Sequence, residues 1–381
     1  MKGLCYLDNN AGTALAPNVL DAMLPYLKQQ QGNPSSSHRF GRLAKTAIEN
    51  SRRQVADLVN VSPSQVIFTS GGTESNNQVF SGLAQQYQTG NVLLSSVEHP
   101  SVLEPARELS KAGFNVEELQ VDTDGVVKVN HLADAINEQT RLVSVMWANN
   151  ETGVIQDITA LTAVCNDKQV LFHCDAVQAI GKEFVDFSAA GVQLMSLSAH
   201  KFGGPKGIGA LITKKGLNWP ALILGGGQEA GFRSGTENVP AIIGIGAAAV
   251  EAKSSLSHYQ KHCRSLRDLF EKRLLEMGSV TIFAQHAKRL ANTIFFSLAG
   301  FDAETLLMAL DRQNFSVSSG SACGTGQQTP SYVLTAMGVD DITAQGAIRV
   351  SISLQTTVEE IECLANVLKK EASRFQNLMN R

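Results

Sequence analysis

Between about residues 40 and 215, short apolar runs of strand length alternate with stretches whose apolar side chains recur at helical spacing. The runs 65–70, 91–96, 114–121, 141–148, 170–175, 194–198 and 208–213 predict strands. Short, apolar and separated by helical segments, they fit strands buried on both faces of a mostly parallel sheet. Helix starts follow the first two: Gly72 after one, and Pro100, a favoured first helical residue, after the other. The third run ends in the turn signal Asp122-Thr-Asp-Gly. Beyond about residue 255 the rhythm changes to a long amphipathic helix over 257–277, strands at 293–298 and 347–353, and a last helix. Thr357 and Glu360 stand at capping-box spacing at the start of that helix. The pattern predicts an α/β fold with a mostly parallel central sheet sandwiched by helices, plus a smaller α+β domain. The expected boundaries are 15–255 for the large domain, and 1–14 with 256–381 for the small one.

Composition narrows this picture. A chain of 381 residues with 43% hydrophobic side chains can bury a substantial core. A net charge of −3 argues against a nucleic-acid surface as the main business. The longest apolar run, 242–250, falls short of the roughly 18 residues that a bilayer span needs. The opening MKGLCYLDNNAG lacks the apolar core of a secretion signal, so a cytoplasmic enzyme is the expectation, with no membrane partner. None of the six cysteines forms a CxxC pair, and most are expected to be small buried apolar residues in a reducing compartment. Only Cys323 has neighbours suggesting more.

Five stretches carry candidate chemistry. In Ser198-Ala-His-Lys-Phe-Gly-Gly-Pro-Lys-Gly a strand ends at Ser198 and His200, sets Lys201 at its tip, and enters a Gly-rich turn. A lysine there projects into the crevice where open α/β sheets bind ligands, and partial burial suits it to Schiff-base chemistry. The plainer alternative is an exposed turn lysine, the expectation for Lys206 and Lys215. Asp175-Ala-Val-Gln178 directly follows the strand 170–174. Its carboxylate suits a protonated pyridine nitrogen and Gln178 a phenolate oxygen, while an ordinary helix cap competes. Ser70-Gly-Gly-Thr-Glu-Ser, between strand and helix, leaves backbone N–H groups free for a phosphate, or is simply a cap. His99 precedes Pro100 and is a candidate to stack on a planar ring and move protons, or a satisfied polar residue. Finally, Cys323 stands in the small-residue loop Ser318-Ser-Gly-Ser-Ala-Cys-Gly-Thr-Gly, with Arg349 a candidate carboxylate clamp.

Together these stretches resemble the NifS/IscS-type cysteine desulfurases, a branch of the class V aminotransferase group of fold-type I pyridoxal-phosphate enzymes. The resemblance runs over essentially the whole chain. It rests on Tyr6-Leu-Asp-Asn-Asn-Ala, Gly32-Asn-Pro-Ser-Ser-Ser-His, Phe68-Thr-Ser-Gly-Gly-Thr-Glu-Ser, Val97-Glu-His and Asn149-Asn-Glu-Thr-Gly. Asp175-Ala-Val-Gln, Ser198-Ala-His-Lys, Arg233-Ser-Gly-Thr-Glu-Asn and Ser318-Ser-Gly-Ser-Ala-Cys complete it. It implies pyridoxal 5'-phosphate as cofactor, with Lys201 as its Schiff-base lysine and His99 stacked on the ring as acid and base. It further implies Asp175 on the pyridine nitrogen and Gln178 on the phenolate. Gly72, Thr73, Ser198 and His200 become the phosphate cradle, with Thr236 reaching in from the partner of a homodimer. Asn150 and Arg349 match the family's substrate-carboxylate contacts, and Cys323 its persulfide-forming nucleophile. The implied reaction converts L-cysteine to L-alanine and hands the sulfur to an acceptor protein. No resident metal is implied, though Cys323 is a candidate transient ligand to an iron–sulfur cluster. Gly324-Thr-Gly-Gln-Gln departs from the family's Thr/Ser-rich run, Gly12 from its usual Thr, and the end at Arg381 from the longer IscS-type tail. These departures leave the acceptor open.

Overall fold

The computed structural model describes residues 3–319 and 330–379, with backbone alone for 375–379. Strands are numbered along the chain: β1 Cys5–Tyr6, β2 Val66–Thr69, β3 Asn91–Ser95, β4 Asn115–Leu119, β5 Thr140–Ser144 and β6 Leu171–Asp175. They continue as β7 Leu194–Ser198, β8 Gly209–Thr213, β9 Val280–Ile282, β10 Thr293–Leu298, β11 Phe315–Ser316 and β12 Ala347–Ser351. Seven of them form one sheet in the order β2-β8-β7-β6-β5-β3-β4. The pairs β3·β4, β3·β5, β5·β6 and β6·β7 are parallel, and β8 runs antiparallel to both its neighbours. β2, β3, β7 and β8 are buried at every residue, which accounts for their largely apolar sequences. β4, at the sheet edge, instead exposes Asn115, Glu117 and Glu118, so the run 114–121 is not buried on both faces as expected.

The predicted run 141–148 is shorter as a strand because Val145 and Trp147 leave the regular ladder. Their N–H groups still donate to His173 O (3.1 Å) and Asp175 O (2.9 Å), so the backbone stays extended beyond β5. Asn149 then turns the chain: its Oδ1 accepts from the N–H groups of Glu151 and Thr152, both at 2.9 Å. Gly153 closes this turn at φ 75°, where a Cβ would lie 2.8 Å from Thr293 Cβ. A left-handed turn and contact with β10 both call for glycine here.

β9, β10 and β12 form a second, antiparallel sheet in the order β12-β10-β9, while β1 pairs in parallel with β11. One helix, Val239–Leu275, runs for 37 residues, and the predicted helix over 257–277 is its second half. Its first half puts Ile242, Ile245 and Ala248 into the core beneath the large sheet. Its second half puts Cys263, Leu266, Phe270 and Leu274 into a separate core shared with Leu7, Phe296 and Val350. Nothing in the sequence between 250 and 260 breaks a helix, so it continues without interruption from one core to the other. The last helix begins with the expected reciprocal cap. Thr357 N donates to Glu360 Oε2 (2.9 Å) and Glu360 N to Thr357 Oγ1 (3.2 Å).

The sheet order decides where a ligand can sit. From β3 the chain goes outward to β4, then returns on the other side as β5, β6 and β7, so β3 and β5 bracket a switch point. Connections leaving in opposite directions open a crevice at the carboxyl ends of the strands there.

Candidate active site

A cavity of about 160 Å³ opens at these carboxyl ends. Gly72 and Thr73 reach it from the end of β2, His99 from β3, Asn150 from the extension of β5, Asp175 and Gln178 from β6, and Ser198, His200 and Lys201 from β7. Nine residues singled out from sequence therefore share one cavity.

The anion-seeking end is the start of the helix Gly72–Gln86. Its N-cap residue, Gly71, has no side chain to satisfy the first N–H groups, which are left for a ligand at the positive end of the helix dipole. A Cβ on Gly72 would sit 2.7 Å from Val177 Cγ2, so only glycine lets the helix start this close to the turn after β6. Ser198 Oγ and His200 Nδ1, 2.9 Å apart, flank this end. Burial, reinforced by Lys201, Lys206 and Lys182, lowers His200 to a pKa of about 4, so the ring is neutral at pH 7.

At the other end, Lys201 Nζ donates to Asn10 O (2.6 Å) and Ala11 O (3.0 Å). Burial, with help from Arg349 and against the pull of Asp8 and Asp175, lowers its pKa to about 8. An appreciable fraction of the amine is then neutral and nucleophilic near pH 7. Asp175 is held from two sides: Asn76 Nδ2 donates to Oδ2 (2.8 Å) and Val177 N to Oδ1 (3.0 Å). The same Asn76 amide donates to Ser101 Oγ (2.8 Å), which sits 2.8 Å from His99 Nδ1. His99 caps its helix, its Nδ1 accepting from Ser101 N (3.1 Å). Desolvation depresses its pKa, Lys201 adding to this and Asp175 opposing it. Neutral His99 therefore carries its proton on Nε2, as a hydrogen-bond donor.

Arg349 lies outside the cavity lining but is bound to it. In β12, its guanidinium donates to Asn150 O (3.0 Å) and pairs with Asp8 Oδ1 (2.7 Å). Thr236 does not line the cavity; it is exposed in the segment before the long helix. Cys323 lies outside the described residues.

Several contributors carried no signal of role in the sequence. Asn76 stands four residues after Gly72, on the same helix face, and that spacing is the only clue to it. Asn10 belongs to a quoted motif yet pointed to no chemistry; folded, its backbone oxygen accepts from both Lys201 and Gln178. Glu98, beside His99, is wholly buried, with Oε1 accepting from Met146 N (2.5 Å). Desolvation and nearby Asp175 raise its pKa far above the usual carboxylate range. Lys182, which no sequence motif singles out, is 2% exposed.

The donor set has a definite chemical fit. A bare helix N-terminus suits a phosphate, a lysine amine suits an aldehyde, and a carboxylate held by two donors suits a cationic ring nitrogen. Asn150 Oδ1 is buried at this cavity without a partner among the described residues. These features define an α/β enzyme crevice for an anionic, aldehyde-bearing, heteroaromatic group.

Comparison with known proteins narrows the class. The family model of class-V aminotransferases matches residues 5–364, and the chain belongs to that family. It is similar to the cysteine desulfurase IscS of Neisseria meningitidis serogroup A, 42% identical over 99% of this chain and 94% of the relative. Among solved structures, a NifS-like protein superposes with a TM-score of 0.92 at 38% identity, covering 97% of this chain and 100% of that one. A structure of SspA in complex with cysteine has a TM-score of 0.82 at 31% identity, covering 93% of this chain and 100% of the other.

Proposed function

We infer that this protein is a pyridoxal-phosphate-dependent cysteine desulfurase. It converts L-cysteine to L-alanine and leaves the sulfur as a persulfide on Cys323, for transfer to an acceptor protein. The observation carrying this reading is the placement of Lys201, with its lowered pKa, in one cavity with Asp175 and the uncapped helix N-terminus at Gly72. Full-length similarity to curated cysteine desulfurases supports the choice of reaction.

Pyridoxal phosphate, when bound, supplies the electron sink for charge that develops on the substrate's α-carbon. The chain's own residues do the rest. The helix start at Gly72, with Thr73, Ser198 and His200, holds the phosphate. Asp175, fixed by Asn76 and Val177, keeps the ring nitrogen protonated. Lys201 offers a partly neutral amine at near-neutral pH that would hold the aldehyde and, as a free amine, could carry a proton. His99 presents Nε2–H as a donor; with Nδ1 engaged, it is better set to give a proton than to take one from a thiol. Arg349 and Asn150 orient the substrate carboxylate. Cys323 forms one S–S bond as the substrate's C–S bond breaks, so cysteine plus thiol gives alanine plus persulfide, and no outside oxidant or reductant is needed.

The enzyme is proposed to act as a homodimer in the cytoplasm. Exposed Thr236 follows a segment that includes Leu222, Ile223 and Leu224, the last 83% exposed, which suits burial against a second copy. Thr236 would then complete the partner's phosphate end. The proposed division into a large domain (15–255) and a small one (1–14 and 256–381) rests on the two cores that the long helix joins.

The test is sulfide and alanine release from L-cysteine with a thiol reductant, with mass spectrometry of the Cys323 peptide. One added sulfur atom and loss of turnover in Cys323→Ala are expected. Undiminished turnover in that variant overturns the persulfide route.

A further inference from the structure

Lys182 is among the largest fully buried side chains of the molecule. Its partners are neutral: Nζ donates to Gln178 Oε1 (2.6 Å) and Asn10 Oδ1 (2.9 Å). Burial holds its pKa well below the ordinary lysine value, with Lys201 and Arg349 adding to the effect. A buried amine whose hydrogen-bond partners among the described residues are amide oxygens is costly, and a methionine of similar length would fill the space without that cost. The arrangement calls for a role that stability does not supply.

The role follows from donor and acceptor bookkeeping. A glutamine amide has one accepting end and one donating end, whereas a lysine head offers donors. Lys182 therefore draws Gln178 Oε1 toward itself and turns Nε2 the opposite way. There, Nε2 donates to Asn10 O (3.0 Å), the same carbonyl that accepts from Lys201 Nζ (2.6 Å). The flipped amide would set donor against donor at Lys182 and acceptor against acceptor at Asn10, losing both bonds.

Asn10 is pinned in the same manner. Its Oδ1 accepts from Lys182 and Asn292 Nδ2 (3.0 Å), and its Nδ2 donates to Thr293 Oγ1 (2.9 Å). The donating end of Gln178 is thus fixed beside the Lys201 amine by a network whose members all have partners. In pyridoxal phosphate, the phenolate oxygen stands on the ring carbon next to the one bearing the aldehyde. A donor next to the amine that takes the aldehyde is therefore placed for that anion.

Resting on the desulfurase reading above, we propose that Lys182 is a positioning residue: it locks the Gln178 amide with its N–H donors toward Lys201, where the cofactor's phenolate oxygen requires a donor. Without that lock the amide is free to present its oxygen to an anion.

The test uses purified apoprotein and holoenzyme. Lys182→Met is expected to weaken equilibrium binding of pyridoxal phosphate by about tenfold, the scale of one charge-assisted hydrogen bond. The pH midpoint of the bound cofactor's visible absorption is expected to move upward by about one unit, because a less stabilised phenolate holds the neighbouring proton more tightly. Gln178→Met should reproduce both changes, and the double variant should add nothing to either single one. Lys182→Gln keeps a donor without the charge and should retain most of the affinity; it also carries the comparison if Lys182→Met does not fold. Thermal unfolding of the apoproteins reports on folding separately. Wild-type affinity and midpoint in Lys182→Met overturn the proposal, as do additive effects in the double variant or Lys182→Gln falling as far as Lys182→Met. Wild-type apoprotein that takes up no pyridoxal phosphate would overturn the functional reading itself.

Discussion

The site has two parts built in different ways, the rim of the cavity and a seam beside it. One is the rim of strand ends: Gly72, His99, Asp175, Ser198 and Lys201 each stand at, or within a few residues of, the end of a buried strand. The other is a seam where Asp8–Ala11 meet Asn150, Asn292, Thr293, Arg349 and Ser351. Asn9 Nδ2 donates to Ser351 O (2.8 Å) across 342 residues, and Asn10 Nδ2 to Thr293 Oγ1 (2.9 Å) across 283. On the rim, a regular element sets where each side chain leaves the backbone, and distant groups such as Asn76 and Asn10 then hold Asp175 and Lys201. On the seam, every position depends on another part of the protein having folded. Rigid strand ends thus set the ligand-holding groups, while long-range hydrogen bonds set the amide and guanidinium groups that orient them.

Substitutions in the two parts should separate these contributions. The largest loss is expected on the rim, in Lys201→Ala. Borohydride reduction should fix no cofactor to the protein, and turnover should fall by about 10³-fold or more; appreciable turnover would deny Lys201 its role. Asp175→Asn keeps the shape and removes the charge opposite the ring nitrogen, so kcat should drop by about 10²-fold with stability little changed. Gly72→Ala tests the backbone of the rim. Its Cβ would press on Val177 Cγ2 at 2.7 Å, at an expected cost of about 2 kcal/mol in denaturant unfolding, along with weakened cofactor uptake.

On the seam, Arg349→Lys cannot reach both Asp8 and Asn150 while clamping a carboxylate. KM for cysteine should rise by about tenfold, with a smaller change in kcat. The smallest effect expected is one of pH. Since Lys201 loses its proton at about 8, cofactor capture by wild-type apoprotein should speed up by about tenfold between pH 7 and 9 and then level off. A rate still climbing steeply at pH 10 would mean that burial does not depress this amine.

The rim follows from local sequence pattern. Runs of buried apolar residues with helix starts after them specify a mostly parallel sheet, and the geometry of such sheets assigns the residues after each strand to a common crevice. Eight of the nine cavity candidates are legible in this way because their placement follows from local elements, whereas Asn150 rests on the family resemblance alone. The same pattern gives no role to Lys182, Asn10 or Asn76, and marks only the second half of the helix Val239–Leu275. Periodicity records which face of an element is apolar, but carries no information about which distant polar group will meet it. Long-range packing is what buries a lysine against Gln178, brings Arg349 in β12 to Asn150, and has one helix serve two cores. Those outcomes depend on burial and on hydrogen-bond partners hundreds of residues away, which exist only once the chain has folded.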